Sequence, residues 1–240
     1  MATSRPLGFG DVFDAAFQVY RRAFWQFALI QAIVAVPVAL VQTFALHDTV
    51  STGAAVSLAV LEQTLPWSLV TGLLGLVQAA AVGALTHRAA NGDGLEVGAS
   101  YMTALRRLGP LLGFGVIAAL IVAVLSIVFV IPGFIAFIYL APGLFLSTLW
   151  GEGGLSAIGA SYRLVQGYFW RISGVLVMAG LIVFVINLLV SLLVTAVTHA
   201  SATLIIVTTL LSILLGSFPV VALYLAAADL RRRKGLAPAD

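Results

Sequence analysis

The chain has 240 residues, 62% of them hydrophobic and 9% charged, with a formal net charge of +3. Soluble domains carry roughly 25% charged residues, so a soluble globular fold is excluded and an integral membrane protein is indicated. The absence of cysteine excludes a disulfide framework, a thiol nucleophile and a Cys-ligated metal. The basic residues sit in short clusters at the ends of apolar runs, where they serve orientation and anionic-lipid contact rather than nucleic-acid binding.

A membrane span takes about 20 mainly apolar residues, and the hydropathy divides the chain into six. The first element, over 8–22, is an amphipathic helix. Phe9, Val12, Phe13, Ala16, Phe17 and Tyr20 recur at helical spacing, with Asp11, Asp14, Gln18 and Arg21 on the other face. The first span follows over 24–46 and is broken by His47-Asp48 and a Ser/Thr/Gly stretch. Residues 50–63, with Glu62, read as an outer connection. The second span, 66–88, starts at Pro66, a favoured first helical position. A second amphipathic helix, 95–108, carries Val97, Tyr101, Met102, Leu105 and Leu108 and is closed by Arg106-Arg107. The third span covers 110–131, and Pro132-Gly133 suits the central positions of a type II turn into a fourth over 134–150. A third amphipathic helix, 153–167, with Leu155, Ile158, Gly159, Tyr162 and Val165, leads through Tyr168-Phe169-Trp170-Arg171 into the fifth span, 170–197. Thr198-His199-Ala200-Ser201 connects it to the sixth, 202–228. Residues 231–240 are a basic and then polar tail. The reading is all-α: one polytopic domain over 1–230, with six transmembrane helices as three hairpins, each preceded by an interfacial amphipathic helix.

Counting charges fixes the orientation. Arg5, Arg21 and Arg22 precede the first span; Arg88, Arg106 and Arg107 lie between the second and third; Arg163 and Arg171 lie between the fourth and fifth; Arg231, Arg232, Arg233 and Lys234 follow the sixth. All twelve fall on one side, and positive charge is retained in the cytoplasm, so both termini are expected there. The N-terminus lacks a signal-peptide layout, so the first span is expected to be retained. Three repeats of one surface helix and one hairpin are a symmetry common in membrane domains, transporters included.

The segments Pro132-Gly133-Phe134, Ala141-Pro142-Gly143-Leu144 and Gly151-Glu152-Gly153, with Ala157, Ser161, Arg163, Leu164, Val165, Gly167 and Tyr168-Phe169-Trp170-Arg171, resemble a bacterial family of small six-span proteins. That family is related to the membrane domain attached to some glycerophosphodiester phosphodiesterases. Arg5-Pro6-Leu7-Gly8 and Tyr20-Arg21-Arg22-Ala23-Phe24-Trp25 are similar to the opening of the same group. The resemblance departs in the fourth span, where a basic residue common in the group is replaced by Phe137, Ile138 and Tyr139. The phosphodiesterase domain's acidic metal ligands and catalytic histidines have no counterpart in this sequence. What the resemblance implies is a fold and a bacterial plasma-membrane (inner-membrane) location, without a reaction.

Intramembrane polar residues are functional candidates by default. Asn187, near the middle of the fifth span, and Gln31, Gln42 and Gln78 read as packing polars, because none has an ionisable partner. His47, His87 and His199 show no metal-ligand spacing; His87 beside Arg88 reads as a helix end at the headgroups. Gly72, Gly75, Ala79 and Gly83 line the second span, and the last three recur at four-residue intervals that let helix backbones approach closely. Pro37, Pro142 and Pro219 interrupt the first, fourth and sixth spans and read as kinks, the alternative being the broken helices of transporters. No nucleophile and base pair, phosphate-binding loop or paired acids stand within the spans. The expectation is therefore a protein without catalytic residues, metal or cofactor, acting through helix packing and a basic cytoplasmic belt of Arg21, Arg22, Arg106, Arg107, Arg163 and Arg171. Its expected partners are anionic headgroups, a membrane-protein partner or a second copy. A small-molecule or lipid transporter or channel subunit is the alternative, and an intramembrane lipid-modifying enzyme the weaker one.

Overall fold

The computed structural model describes residues 8–45, 58–197 and 201–236. Among them are eleven helices: α1 Phe9–Arg22, α2 Phe24–Ala45, α3 Leu58–Asn91, α4 Val97–Arg106, α5 Leu108–Val128, α6 Val130–Leu140, α7 Gly143–Thr148, α8 Gly154–Val165, α9 Phe169–Val197, α10 Ser201–Leu215 and α11 Phe218–Arg233. Six stretches are long and apolar enough to cross a membrane, the fourth formed by α6 and α7 together and the sixth by α10 and α11. The chain is a multi-pass membrane protein.

Helices stand at each of the three positions read from the amphipathic stripes, and each runs almost directly into a span. A single residue joins α1 to α2 and another joins α4 to α5. Ala23 (φ −115°, ψ 28°) and Arg107 (φ −106°, ψ 21°) have nearly the same backbone conformation. The third joint is longer and contains Gly167 at φ 86°, in the left-handed region that glycine adopts without steric cost. The Asp11 carboxylate accepts the Gly8 N–H at 2.7 Å, satisfying an N–H next to the α1 terminus, where a negative charge also suits the helix dipole.

The structure refines several helix ends. The second span begins at Pro66, as read, but its helix does not: α3 starts at Leu58 and continues through Pro66, so part of the segment read as a connection is helical. Proline inside a helix removes one backbone bond, about 3 kcal/mol in water, and here the helix persists on both sides of it. Pro132-Gly133 is not the turn between the third and fourth spans. The chain reverses at Phe129, an extended residue (φ −155°, ψ 138°), and Pro132 falls in the first turn of α6, where N–H groups have no intrahelical acceptor and proline costs little. Gly133 is instead a contact point, because a Cβ there would collide with the Ser126 side chain. The fourth span is divided at Ala141-Pro142 and the sixth at Gly216-Ser217, whereas Pro37 lies inside an unbroken α2. Finally, Arg231-Arg232-Arg233 forms the last turn of α11 rather than a tail.

The core is displaced towards the basic end. Val12, Ala16 and Tyr20 of α1, Phe27 and Ile30 of α2, Leu85 of α3, Phe145 of α7, Leu164 of α8, Ile172 of α9 and Leu230 of α11 are buried together. Glycines set the close approaches: the Phe145 ring lies against Gly83, Phe114 against Gly143, and Phe9 of α1 against Gly174 of α9. Towards the other end the packing thins. Among the described residues none of α2 after Ile30, none of α9 after Ala179 and none of α10 is buried. At the α5–α6 turn Ile127 and Val130 are 84% and 78% exposed.

Candidate functional site

Of the six belt arginines, Arg21, Arg22, Arg106, Arg107 and Arg163 are exposed. They lie at the C-terminal ends of α1, α4 and α8, where cations also oppose the helix dipole. None of the five is in an ion pair among the described residues. Arg171 differs from them. Its Nη2 donates to Asp229 Oδ2 at 2.9 Å, and the same oxygen accepts from Arg233 Nε at 2.7 Å. Asp229 is 4% exposed. One buried carboxylate thus holds α9 to the end of α11, so Arg171 belongs to the packing. Lys234 Nζ donates to the Arg163 and Gln166 carbonyls, satisfying acceptors left over at the end of α8.

Behind these charges lies a cluster that the sequence reading did not assemble. His87 does not end a helix in solvent: it is half-buried within α3, its Nδ1 is 2.6 Å from Tyr224 Oη of α11, and its Nε2 is 3.2 Å from Asn91 Nδ2. Tyr224 packs edge-on against Phe145, and its ring centroid is 6.0 Å from that of Trp150. The Arg231 guanidinium lies 4.4 Å over the Trp150 ring, a favourable cation–π geometry. The i, i+4 spacing of His87 and Asn91 was available from the sequence; the meeting of His87 with Tyr224, 137 positions away, was not.

Inside the spans, Gln31 and Gln78 bond to each other across α2 and α3, so these two packing polars have each other as partners. The Gln42 side chain lies outside the described residues. Tyr20 Oη donates to the Leu214 carbonyl at the end of α10, and Tyr101 Oη donates to the Ile30 carbonyl at 2.9 Å. Burial pushes the Tyr20 phenol up to about 12, since the phenolate would lose its water. The break at Gly216-Ser217 is tight: a Cβ on Gly216 would stand 2.8 Å from the Gln31 amide nitrogen, and Ser217 Oγ is buried without a hydrogen-bond partner among the described residues.

Asn187 bonds within its own helix, Nδ2 to the Val183 carbonyl at 2.9 Å, and not to a neighbouring one. The second-span stripe divides as well: Gly83 is a true close approach, Gly75 has open space around it, and Ala79 lines an apolar cavity of about 590 Å³. That cavity borders both divided spans, with Ala141 beside Pro142 on one side and Pro219 on the other. His47, Asp48 and His199 lie outside the described residues, as does the side chain of Glu62. Comparison with family models, with characterised protein sequences and with solved structures returns no match.

Proposed function

We propose that this chain is a non-enzymatic protein of the bacterial inner membrane, with both termini cytoplasmic, whose basic end engages anionic lipid headgroups. Its three units each comprise an interfacial helix and a helical hairpin, in the manner of the membrane domain associated with glycerophosphodiester phosphodiesterases. The observation that carries the reading is the set Arg21, Arg22, Arg106, Arg107 and Arg163, exposed and free of ion pairs among the described residues where surface helices meet spans. The matching backbone conformation at Ala23 and Arg107 supports a repeated unit, and the exposed Phe17 and Met102 give α1 and α4 apolar groups to set against lipid. A transporter subunit finds support in the two divided spans and the buried Ser217 hydroxyl. The cavity beside those breaks is lined by apolar side chains and glycine, which favours lipid over a water-soluble cargo.

Each basic residue near an anionic surface contributes about 1 kcal/mol, so replacing a pair by glutamine should weaken binding by about 2 kcal/mol, roughly 30-fold. The test is the lipid retained by purified protein, read by native mass spectrometry, for Arg21→Gln/Arg22→Gln and Arg106→Gln/Arg107→Gln. Retention of anionic lipid equal to that of the unmodified chain in both variants would refute the belt.

A further inference from the structure

We infer that the cavity bordered by the second, third, fourth and sixth spans, with Leu176 of the fifth, is a binding site for one acyl chain of an anionic phospholipid whose headgroup lies at Arg106-Arg107. The inference deepens the belt reading and rests on it for the headgroup alone. One wall is α5, which presents Gly115, Ala118, Ala119, Val122 and Ala123 at i, i+3, i+4, i+7 and i+8, a single helical face of small residues, with Leu76 of α3 lying directly against Gly115. The opposite walls are the two divided spans. The fourth turns at Ala141-Pro142 and the sixth at Gly216-Ser217, beside Pro219, so the space is built by small residues facing two helix breaks. Phe114 and Leu144, both buried, close it towards the basic end, while Ala119, Ala123 and Phe137 at its rim are exposed.

The position of that rim decides what enters. Leu108 starts α5, and at about 1.5 Å per residue Gly115 and Ala123 lie about 10 and 22 Å further along it. In a hydrocarbon core about 30 Å thick the exposed rim residues Ala119 and Ala123, about 16 and 22 Å along α5, therefore lie from mid-depth onwards, among the ends of acyl chains and away from water. The size agrees. A cavity of about 150 Å³ accepts a benzene ring, so about 590 Å³ takes roughly four times as much hydrocarbon. That is on the order of two dozen carbons, enough for one acyl chain and short of two. The charge agrees as well, because Arg107 immediately precedes α5 and, with Arg106, is exposed on the side from which the chain would descend.

The test uses the full-length protein in vesicles containing phosphatidylglycerol with a diazirine near the end of one acyl chain, and adducts mapped by mass spectrometry. The expected result is enrichment of adducts at Ala118, Leu140 and Leu223, inside the cavity, over Leu120 and Leu189, which are exposed elsewhere on the spans. Ala123→Phe, at the exposed mouth, should abolish the enrichment without disturbing buried packing. Ala118→Phe, which fills the wall, should do the same. Adducts spread evenly over exposed positions, enrichment that survives Ala123→Phe, or cross-links joining two copies at the mouth would each overturn the site. A phosphatidylcholine probe separates the two readings. If it labels the cavity as strongly as the anionic probe, or if Arg106→Gln/Arg107→Gln leaves an anionic preference intact, the headgroup assignment falls while the chain site stands.

Discussion

Replacing Asp229 by asparagine tests whether Arg171 belongs to the packing or to the lipid-facing set. The carboxylate is 4% exposed and receives hydrogen bonds from Arg171 and Arg233 at 2.9 and 2.7 Å. Removing one partner of a fully buried pair costs about 3–5 kcal/mol, whereas exposed pairs are worth about 0–1 kcal/mol. The two arginine side chains keep 18% and 24% of their surface, so each can turn partly to solvent, and asparagine retains one acceptor. The loss should lie between those limits, at about 2–3 kcal/mol. For a chain of this size, on the scale of soluble proteins, that is a drop of roughly 5–10 °C in the melting temperature. Unfolding in detergent followed by tryptophan fluorescence would read it. Arg171→Gln should also lower the melting temperature, and the double variant should lose less than the sum of the two, because the interaction is shared. Lipid retention should not fall in Asp229→Asn, since none of the five exposed belt arginines bonds to Asp229. A melting temperature within about 1 °C of the unmodified chain, or strictly additive losses, would show that the ion pair does not hold α9 to α11.

Three further outcomes follow from the packing. Gly83→Ala should destabilise by about 1–3 kcal/mol through overpacking, because its Cβ would meet the Phe145 ring at 2.7 Å, whereas Gly75→Ala, with open space, should be neutral or stabilising; paired thermal melts check this. Ile172→Ala, in the buried half, should cost about 2–5 kcal/mol, and Leu189→Ala, exposed on the same helix, a small fraction of that; equal losses would deny the uneven core. Tyr20→Phe should cost about 1 kcal/mol for the bond to the Leu214 carbonyl. With the folded phenol raised to about 12 from 10, its contribution is complete below pH about 10 and is lost as pH rises towards 12. The phenylalanine variant should lack that decline when stability is followed by alkaline titration.

The six spans and the three short helices before them were legible in the sequence because each rests on a local pattern. The helix ends were less so. Pro132-Gly133 has the composition of a turn, yet the reversal falls at Phe129, whose identity carries no turn signal; the decisive contact is Gly133 against Ser126, which exists only once α5 and α6 face each other. Pro66 opens the apolar span but not the helix, since a proline that suits a helix start is also tolerated inside a long apolar helix when its surroundings re-satisfy the freed groups. At the candidate site, five of the belt arginines could be placed from their neighbours alone. The sixth could not, because the acid that claims Arg171 lies 58 residues away. Nothing near Asp229 in the sequence separates it from the surface acids.

The uneven core explains why some of this information was not local. In water, buried apolar area drives helices together, but lipid tails are as apolar as leucine, so helices in a bilayer associate through close packing and polar contacts. In this chain most of those devices, the Gly133–Ser126 approach beside the α5–α6 turn excepted, lie in one half. The Gly83–Phe145, Gly143–Phe114 and Gly174–Phe9 contacts, the His87–Tyr224 bond and the Arg171–Asp229 pair all lie there. Beyond Ala179 of α9 the side chains are mainly leucine, isoleucine and valine, none of them buried among the described residues. The far half therefore has little to hold its helices against one another, and lipid competes for their faces on equal terms. An apolar cavity that opens at mid-span is what such a gradient in packing produces, at the depth where the interhelical contacts give out and acyl chains take their place.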